Sequence, residues 1–352
     1  MSGGDPVPLN RTKLNFLFSR KLAQIKLNSP NSQEPNRQEG LAIVPNPAYI
    51  LLMSNAQMTN TNNQMTFTKM NGLGNDFVVL DARLNELHLT QAQVRNIADR
   101  DNPVTMGCDQ IMIIRPARGN GDCFAEIRNA DGGEVEACGN GTRAVAAYLN
   151  KKDGLASCRI ETLAGELDCA TQLDRVNVTM PAPKFGWQDI PLSEDIGKTN
   201  GVVLHPDLPP AFLVNVGNPH AVIFAAKKTK WMASKYGSEL EHHELFPNRA
   251  NINFVQQFRQ FDRPTLGVHT WERGAGLTQA CGTGACAVAI AAIELGVTRD
   301  PNGAQQTEVD VMPPFNTDRN EHDIITIRYQ PGASTFVMRG PVAFEFDGQL
   351  SF

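Results

Sequence analysis

The pentapeptide Ala-Cys-Gly-x-Gly occurs twice, at Ala137–Gly141 and Ala280–Gly284, and each copy opens a run of small apolar residues. The first run continues through AVAAYL and the second through AVAIAAIEL. A helix with alanine on several sides is buried nearly all round, with other backbones packed closely against it. Two such helices need two matched shells to cover them. The chain therefore reads as a duplicated αβ unit, its halves related by a pseudo-twofold axis, with sheets wrapped round each helix.

The flanking patterns supply those sheets. Thr66–Met70, Phe77–Asp81, Gln110–Arg115, Cys123–Arg128, Ser157–Thr162 and Arg175–Met180 are short, β-branched or alternating segments bounded by turn residues. Thr90–Asp99 reads as a surface helix, and the first buried helix should run from just after Cys138 to about Lys152. Pro181–Pro210 carries six prolines and reads as a domain junction. Strands are expected again near Ala211–Val216, Ala221–Ala225, Asn251–Gln256 and Leu266–Glu272, then a helix from Gly282 to Leu295. The last expected strands are Glu308–Met312, Asp323–Tyr329, Thr335–Arg339 and Val342–Phe346. Residues 1–64, rich in Asn, Pro, Gln and Ser, are expected to be a disordered extension, or one annotated upstream of a true start at Met58 or Met65.

A formal net charge of -5 offers no basic face for nucleic acid. No apolar run reaches the roughly 18–20 residues of a membrane helix. Seven cysteines, an odd number without a CxxC pair, suit neither a disulfide scaffold nor a structural zinc site, so no metal is expected. A reducing cytoplasm is the natural setting, with five of the seven as small buried hydrophobes.

The other two are Cys138 and Cys281. A cysteine at a helix mouth faces unpaired N–H groups and the positive end of the macrodipole, which favour its thiolate. The adjacent glycines let a carboxylate approach those N–H groups. Two such thiols on opposite sides of one carbon could invert it, one as base and one as acid. Backbone dipoles would then stabilise the carbanion, and no cofactor is needed. Three other readings fit the same pattern. Gly139-x-Gly141-x-x-Ala144 and Gly282-x-Gly284-x-x-Ala287 match a loose dinucleotide fingerprint, although only the short Glu134–Ala137 precedes the first copy. The two thiols could form a redox pair, or both could be core filler in a purely structural duplication.

From Met65 onward the chain carries, in order, the motifs FTKMNGLGNDFVVLD (Phe67–Asp81), GCDQ (Gly107–Gln110), RNADGGEVEACGNGTRAVA (Arg128–Ala146), NVGNPHAV (Asn215–Val222), FPNRANINFV (Phe246–Val255) and WERGAGLTQACGTGACA (Trp271–Ala287). In these motifs it resembles the diaminopimelate epimerase family. The resemblance implies an α+β fold of two pseudo-symmetric domains, each a curled mixed sheet around a central helix. Their expected bounds are 65–181, completed by 340–352, and 182–339. It implies epimerisation of LL-diaminopimelate to the meso form, in lysine and cell-wall precursor biosynthesis, with Cys138 and Cys281 catalytic. Asn75, Gln110, Asn129, Asn218 and Asn251 match the amides that hold the substrate's ammonium and carboxylate groups. Glu272 and Arg273 match a charged pair at the site. Gly139 with Asn140, and Gly282 with Thr283, match the helix-mouth donors, and His220 matches a histidine near the cysteines, so His220 and Glu272 would support catalysis. Leu277 stands where many members are acidic, and Thr283 where serine is common. A proline racemase-like or phenazine-biosynthesis-like isomerase, or an amino-acid-binding protein without turnover, would share the fold. The expected partner is a small molecule; a homodimer is allowed but nothing in the sequence requires it.

Overall fold

The computed structural model describes residues 64–352 except 137, 259–260, 262, 279–280, 301 and 313–323, so the expectation for the N-terminal extension lies outside the described residues, save for Gln64. Strands β1 (Gln64–Gly72) and β2 (Asn75–Asp81) form an antiparallel hairpin. Helix α1 (Gln91–Ala98) then crosses to β3 (Gln110–Arg115), parallel to β2. Strand β4 (Cys123–Asn129) returns antiparallel and carries the short flap β5 (Glu134–Val135). Helix α2 (Gly139–Asp153) follows, and β6 (Ser157–Thr162) runs parallel to β4. Antiparallel β7 (Gly165–Gln172) and β8 (Arg175–Pro181) extend it.

After β9 (Asn200–Val202) the chain repeats these moves. The hairpin is β10 (Ala211–Asn215) with β11 (Pro219–Phe224), and α3 (Thr229–Glu241) crosses to parallel β12 (Asn251–Phe258). Antiparallel β13 (Thr265–Glu272) carries the flap β14 (Gly276–Leu277), and α4 (Gly282–Glu294) comes next. Strand β15 (Glu308–Met312) runs parallel to β13, followed by antiparallel β16 (Ile325–Arg328) and β17 (Thr335–Pro341). The duplication inferred from the two pentapeptides is thus a duplication of topology, strand for strand.

Among the described residues, three strand pairings stitch the halves together. The equivalent strands β8 and β17 pair antiparallel, with Val178 opposite Met338. Each half also lends a strand to the other. Strand β9, leaving the first half, pairs with β10, while the last strand, β18 (Ala343–Ser351), leaves the second half and pairs along β1.

Burial explains why α2 and α4 are rich in alanine. Every residue of α4 from Gly284 to Ile293 is buried, as is α2 from Asn140 to Ala147. Small side chains let the surrounding strands close directly on the helical backbone, and an added methylene there would overpack the core. Gly154 ends α2 with a left-handed φ of 75° and donates its N–H to Asn150. The outer helices α1 and α3 cover the opposite faces of their sheets with separate apolar clusters, around Val94 and Ile97 in one case and Ala233 and Leu240 in the other. Thr90 caps α1 in a reciprocal box with Gln93. No helix among the described residues is long and apolar enough to cross a membrane.

Candidate active site

Cys138 and Cys281 are the N-cap residues of α2 and α4, and they are held alike. Both have extended backbone, with φ, ψ of -147°, 108° and -128°, 108°. Gly141 N–H donates to Cys138 Sγ at 3.3 Å, and Gly284 N–H to Cys281 Sγ at 3.2 Å. A capping side chain normally supplies oxygen here; sulfur in its place puts a thiol where the helix favours an anion. Glycine is required by close approach. A methyl group on Gly141 would lie 2.6 Å from Met112 Sδ, and one on Gly284 would lie 2.8 Å from Asn253 Oδ1.

The two mouths converge. Asn140, the second residue of α2, points its Oδ1 to within 2.7 Å of where a Gly282 side chain would begin. Met338 of β17 lies against both Gly139 and Gly282. Glu272, at the end of β13, hydrogen-bonds Cys281 and stands near enough to Cys138 and Asp109 for its charge to reach them. The site is therefore built from both halves.

Burial corrects one expectation about the thiols. The helix mouths were expected to lower their pKa values, but burial pushes Cys138 up and outweighs the N–H donors of Gly141 and Asn140 and the charge of Arg143. Cys281 is pushed well up, first by burial and then by the Glu272 carboxylate, against Thr283 and Gly284. Desolvation of a thiolate in this enclosed setting exceeds what one helix terminus returns. Glu272 is itself raised by burial, partly offset by hydrogen bonds from Thr278 and Cys281.

The amides expected at the site divide into two groups. Asn75, Gln110, Asn129 and Asn140 come together in the first half. Asn75 donates to Asp109 at 2.8 Å and accepts from Asn140 at 3.3 Å, and Gln110 donates to Asn129 at 2.9 Å. Gln110 Oε1 and Asn140 Oδ1 remain buried acceptors without a hydrogen-bond partner. Two such oxygens cost stability unless a donor meets them, and an ammonium group would do so. In the second half Asn218 accepts from His220 Nε2 at 2.8 Å, while Asn251 is committed to backbone, donating to Pro219 O at 3.0 Å and accepting from Arg273 N–H at 3.0 Å. Glu272 and Arg273 do not pair with each other: Glu272 accepts from Thr278 and Cys281, and exposed Arg273 donates to Asn248 O at 3.3 Å. Thr283 Oγ1 lies 3.6 Å from Cys281 Sγ, and Leu277 is an exposed residue of β14.

His220 is wholly buried and neutral, its pKa pushed down to about 3 by burial. Asn253 donates to its Nδ1 at 3.1 Å, so the ring proton sits on Nε2 and points at Asn218. Asn253 also accepts from Thr270 at 3.0 Å and packs beneath Gly284, which links His220 to the mouth of α4. Sequence reasoning passed over Asn253, Thr270, Thr278 and Asp109. Asn253 had a signal, since it lies two residues beyond Asn251 on the same face of β12.

Behind Asn75 lies an ion-pair network. Arg100 bridges Asp76, at 2.6 Å, and Asp109, at 2.5 Å, and buried Lys69 donates to Asp76 at 2.6 Å and to the Gly107 carbonyl. Burial pushes the Asp76 carboxyl up, but the bonds and charges of Arg100 and Lys69 prevail and hold it at about 2. Its folded pKa is thus below the unfolded value of about 3.9, so its contribution is complete above that value and fades as pH falls through about 2. D76N should therefore lower Tm at neutral pH and flatten the acid limb of a Tm-versus-pH curve between pH 4 and 2. An acid limb unchanged by the substitution would show that other carboxylates control it.

A family model described as diaminopimelate epimerase matches residues 67–185 and 212–311. The diaminopimelate epimerase of Sphingopyxis alaskensis is 41% identical over 286 residues, which is 81% of this chain and 97% of that protein.

The chain belongs to the diaminopimelate epimerase family.

The diaminopimelate epimerase of Phenylobacterium zucineum is 42% identical over 290 residues, again 81% of this chain and 97% of the other. Solved structures share the fold at low identity. A phenazine biosynthesis protein of the PhzF family from Bacillus anthracis superposes with a TM-score of 0.55 at 16% identity, covering 82% of this chain and 99% of that one. A hydroxyproline epimerase from Agrobacterium vitis, with trans-4-hydroxy-L-proline bound, gives 0.53 at 13% identity, covering 82% and 93%. The diaminopimelate epimerase family assignment thus rests on sequence, and these structural neighbours add the α+β architecture.

Proposed function

We propose that this chain epimerises LL-diaminopimelate to meso-diaminopimelate without a cofactor, using Cys138 and Cys281 as a proton-transfer pair. The observation that carries the reading is the matched capping of two convergent helices by cysteine, joined where Asn140 meets Gly282. One thiolate removes the α-proton from one face, and the opposite thiol delivers a proton to the other. The carbanion between them is stabilised by the N–H groups of Gly139 and Asn140 and of Gly282 and Thr283 on the substrate carboxylate. Asn75, Gln110, Asn129, Asn218 and Asn251 hold the polar ends, with Asn251 acting through its grip on the Arg273 backbone. Glu272 exchanges a proton with Cys281, and His220 fixes the direction of the Asn218 amide. In this reading the catalytic units are two domains, 65–181 with 340–352, and 182–339, working in the cytoplasm. Seven free cysteines are compatible with that compartment.

The test is turnover of LL-diaminopimelate in heavy water, following stereochemistry and label at the α-carbon together. The meso product should carry deuterium at the inverted centre from the earliest times, while recovered LL substrate stays nearly unlabelled. Equal early label in substrate and product would indicate one base serving both faces. No inversion at all would remove the activity itself.

A further inference from the structure

The duplication that places a cysteine at each helix mouth is broken five residues later. Arg143 follows Cys138 by five positions in α2, and the equivalent position in α4, five beyond Cys281, is Cys286. Arg143 is fully buried, yet among the described residues it has no ion-pair partner. Its Nη1 lies 3.5 Å from Met338 Sδ, while Nε and Nη2 have no hydrogen-bond acceptor. The slot is closely built: a methyl group on Gly340 would lie 2.9 Å from the guanidinium carbon, and one on Gly72 would lie 3.5 Å from Nη2. A buried cation without a counter-charge is costly to retain, so a negative group within reach gains as much as the cation does.

The groups whose charge Arg143 senses are Cys138 and Cys286. Cys286 lies deep in α4 and its thiol is pushed up to about 12 by burial. Cys138 caps its helix and also receives the Gly141 N–H. The charged groups that Cys138 senses are Arg143, on its own helix, and Glu272, from β13. Cys281 has no cation in the corresponding place and is hydrogen-bonded to Glu272. Met338 spans the two sides, touching both Arg143 and Gly139, the residue after Cys138.

We propose that Arg143 is a positioning residue that makes Cys138 the more readily ionised thiol of the pair, the one that supplies the thiolate, and leaves the proton on Cys281. The inference rests on the two-cysteine reading above. In the first half-turnover the α-C–H bond breaks and an S–H bond forms at Cys138. The S–H bond of Cys281 breaks, a C–H bond forms on the opposite face, and the negative charge ends on Cys281. Before the same isomer reacts again, a proton must pass from Cys138 to Cys281 through solvent.

The experiment is alkylation of the full chain by iodoacetamide across pH, without substrate, with peptide mapping that scores Cys138 and Cys281 separately. The inflection of each curve reports the thiol and not its accessibility. In the unaltered protein the Cys138 inflection should fall below that of Cys281. In R143M it should rise by at least one pH unit, slowing Cys138 labelling at neutral pH about tenfold or more, with Cys281 unmoved; R143K should restore it. A Cys281 inflection at or below that of Cys138, or a Cys138 curve unmoved in R143M, overturns the proposal. Should R143M fail to fold, the order of inflections in the unaltered protein and the curve of R143K decide. Because no turnover is measured, failure here is distinct from failure of the heavy-water assay.

Discussion

Replacing Cys138 by alanine should lower epimerisation at least about a hundredfold, toward ten-thousandfold, and the same change at Cys281 should do as much. Each face of the α-carbon has one candidate proton carrier, and the matched caps give neither thiol a neighbour that could take its place. Glu272 touches Cys281, but its carboxyl is committed to Thr278 and Cys281 on one side of the site. The two losses should also fail to add, because the pair acts as a unit. The measurement is kcat/KM for C138A, C281A and the double variant, with folding checked by thermal melting. Retention of unaltered turnover by either single variant would falsify the two-base mechanism.

Diaminopimelate should be preferred over L-proline by roughly ten-thousandfold or more in kcat/KM. Proline offers one carboxylate and a ring amine, whereas diaminopimelate carries an ammonium and a carboxylate at each end. The site presents more polar groups than one amino-acid head can use. Two of them, Gln110 Oε1 and Asn140 Oδ1, are buried acceptors that a poorer ligand would leave unpaired. Sites built to hydrogen-bond a substrate group reject analogues lacking it for that reason. Polarimetry with L-proline and a coupled assay with LL-diaminopimelate, on one preparation, make the comparison. Comparable values would mean that these amides serve the fold and not recognition.

Most of this architecture was legible because its signals are local. Cysteine followed by two glycines and an alanine run marks a capped, buried helix, and the strands expected at Gln110–Arg115, Ser157–Thr162 and Glu308–Met312 are observed at those bounds. Helix α3 was missed because its start lacks the usual sign. Its N-cap, Lys228, makes no side-chain cap bond and has a φ of 62°. Gly237 inside it also reads as a breaker, but it is there because a side chain would lie 2.5 Å from the Trp271 ring. Strand β7 was missed because its residues are mostly polar, with only Leu167 and Cys169 buried. In the site, the cysteines and most amides could be named from motifs, but the partners that aim them could not. Asn253 reaches His220 from another strand, and Arg143 acts from inside a helix read only for its alanines. The thiol expectation failed because it counted the helix terminus and not the desolvation that enclosure imposes.

The reciprocal exchange of strands also sets an order of assembly during synthesis. Strand β1 is the first described element to leave the ribosome, yet its neighbour β18 is the last. Until then β1 keeps an open edge, and Phe67 waits for its close fit against Gly348 and Phe346. The first half is complete only after β18 has been synthesised. Its closure joins residues nearly the full length of the domain apart, which costs loop entropy before any contact repays it. A chain that has not yet made β18 therefore exposes a strand edge of the kind that pairs with other chains, and only β18 hides it.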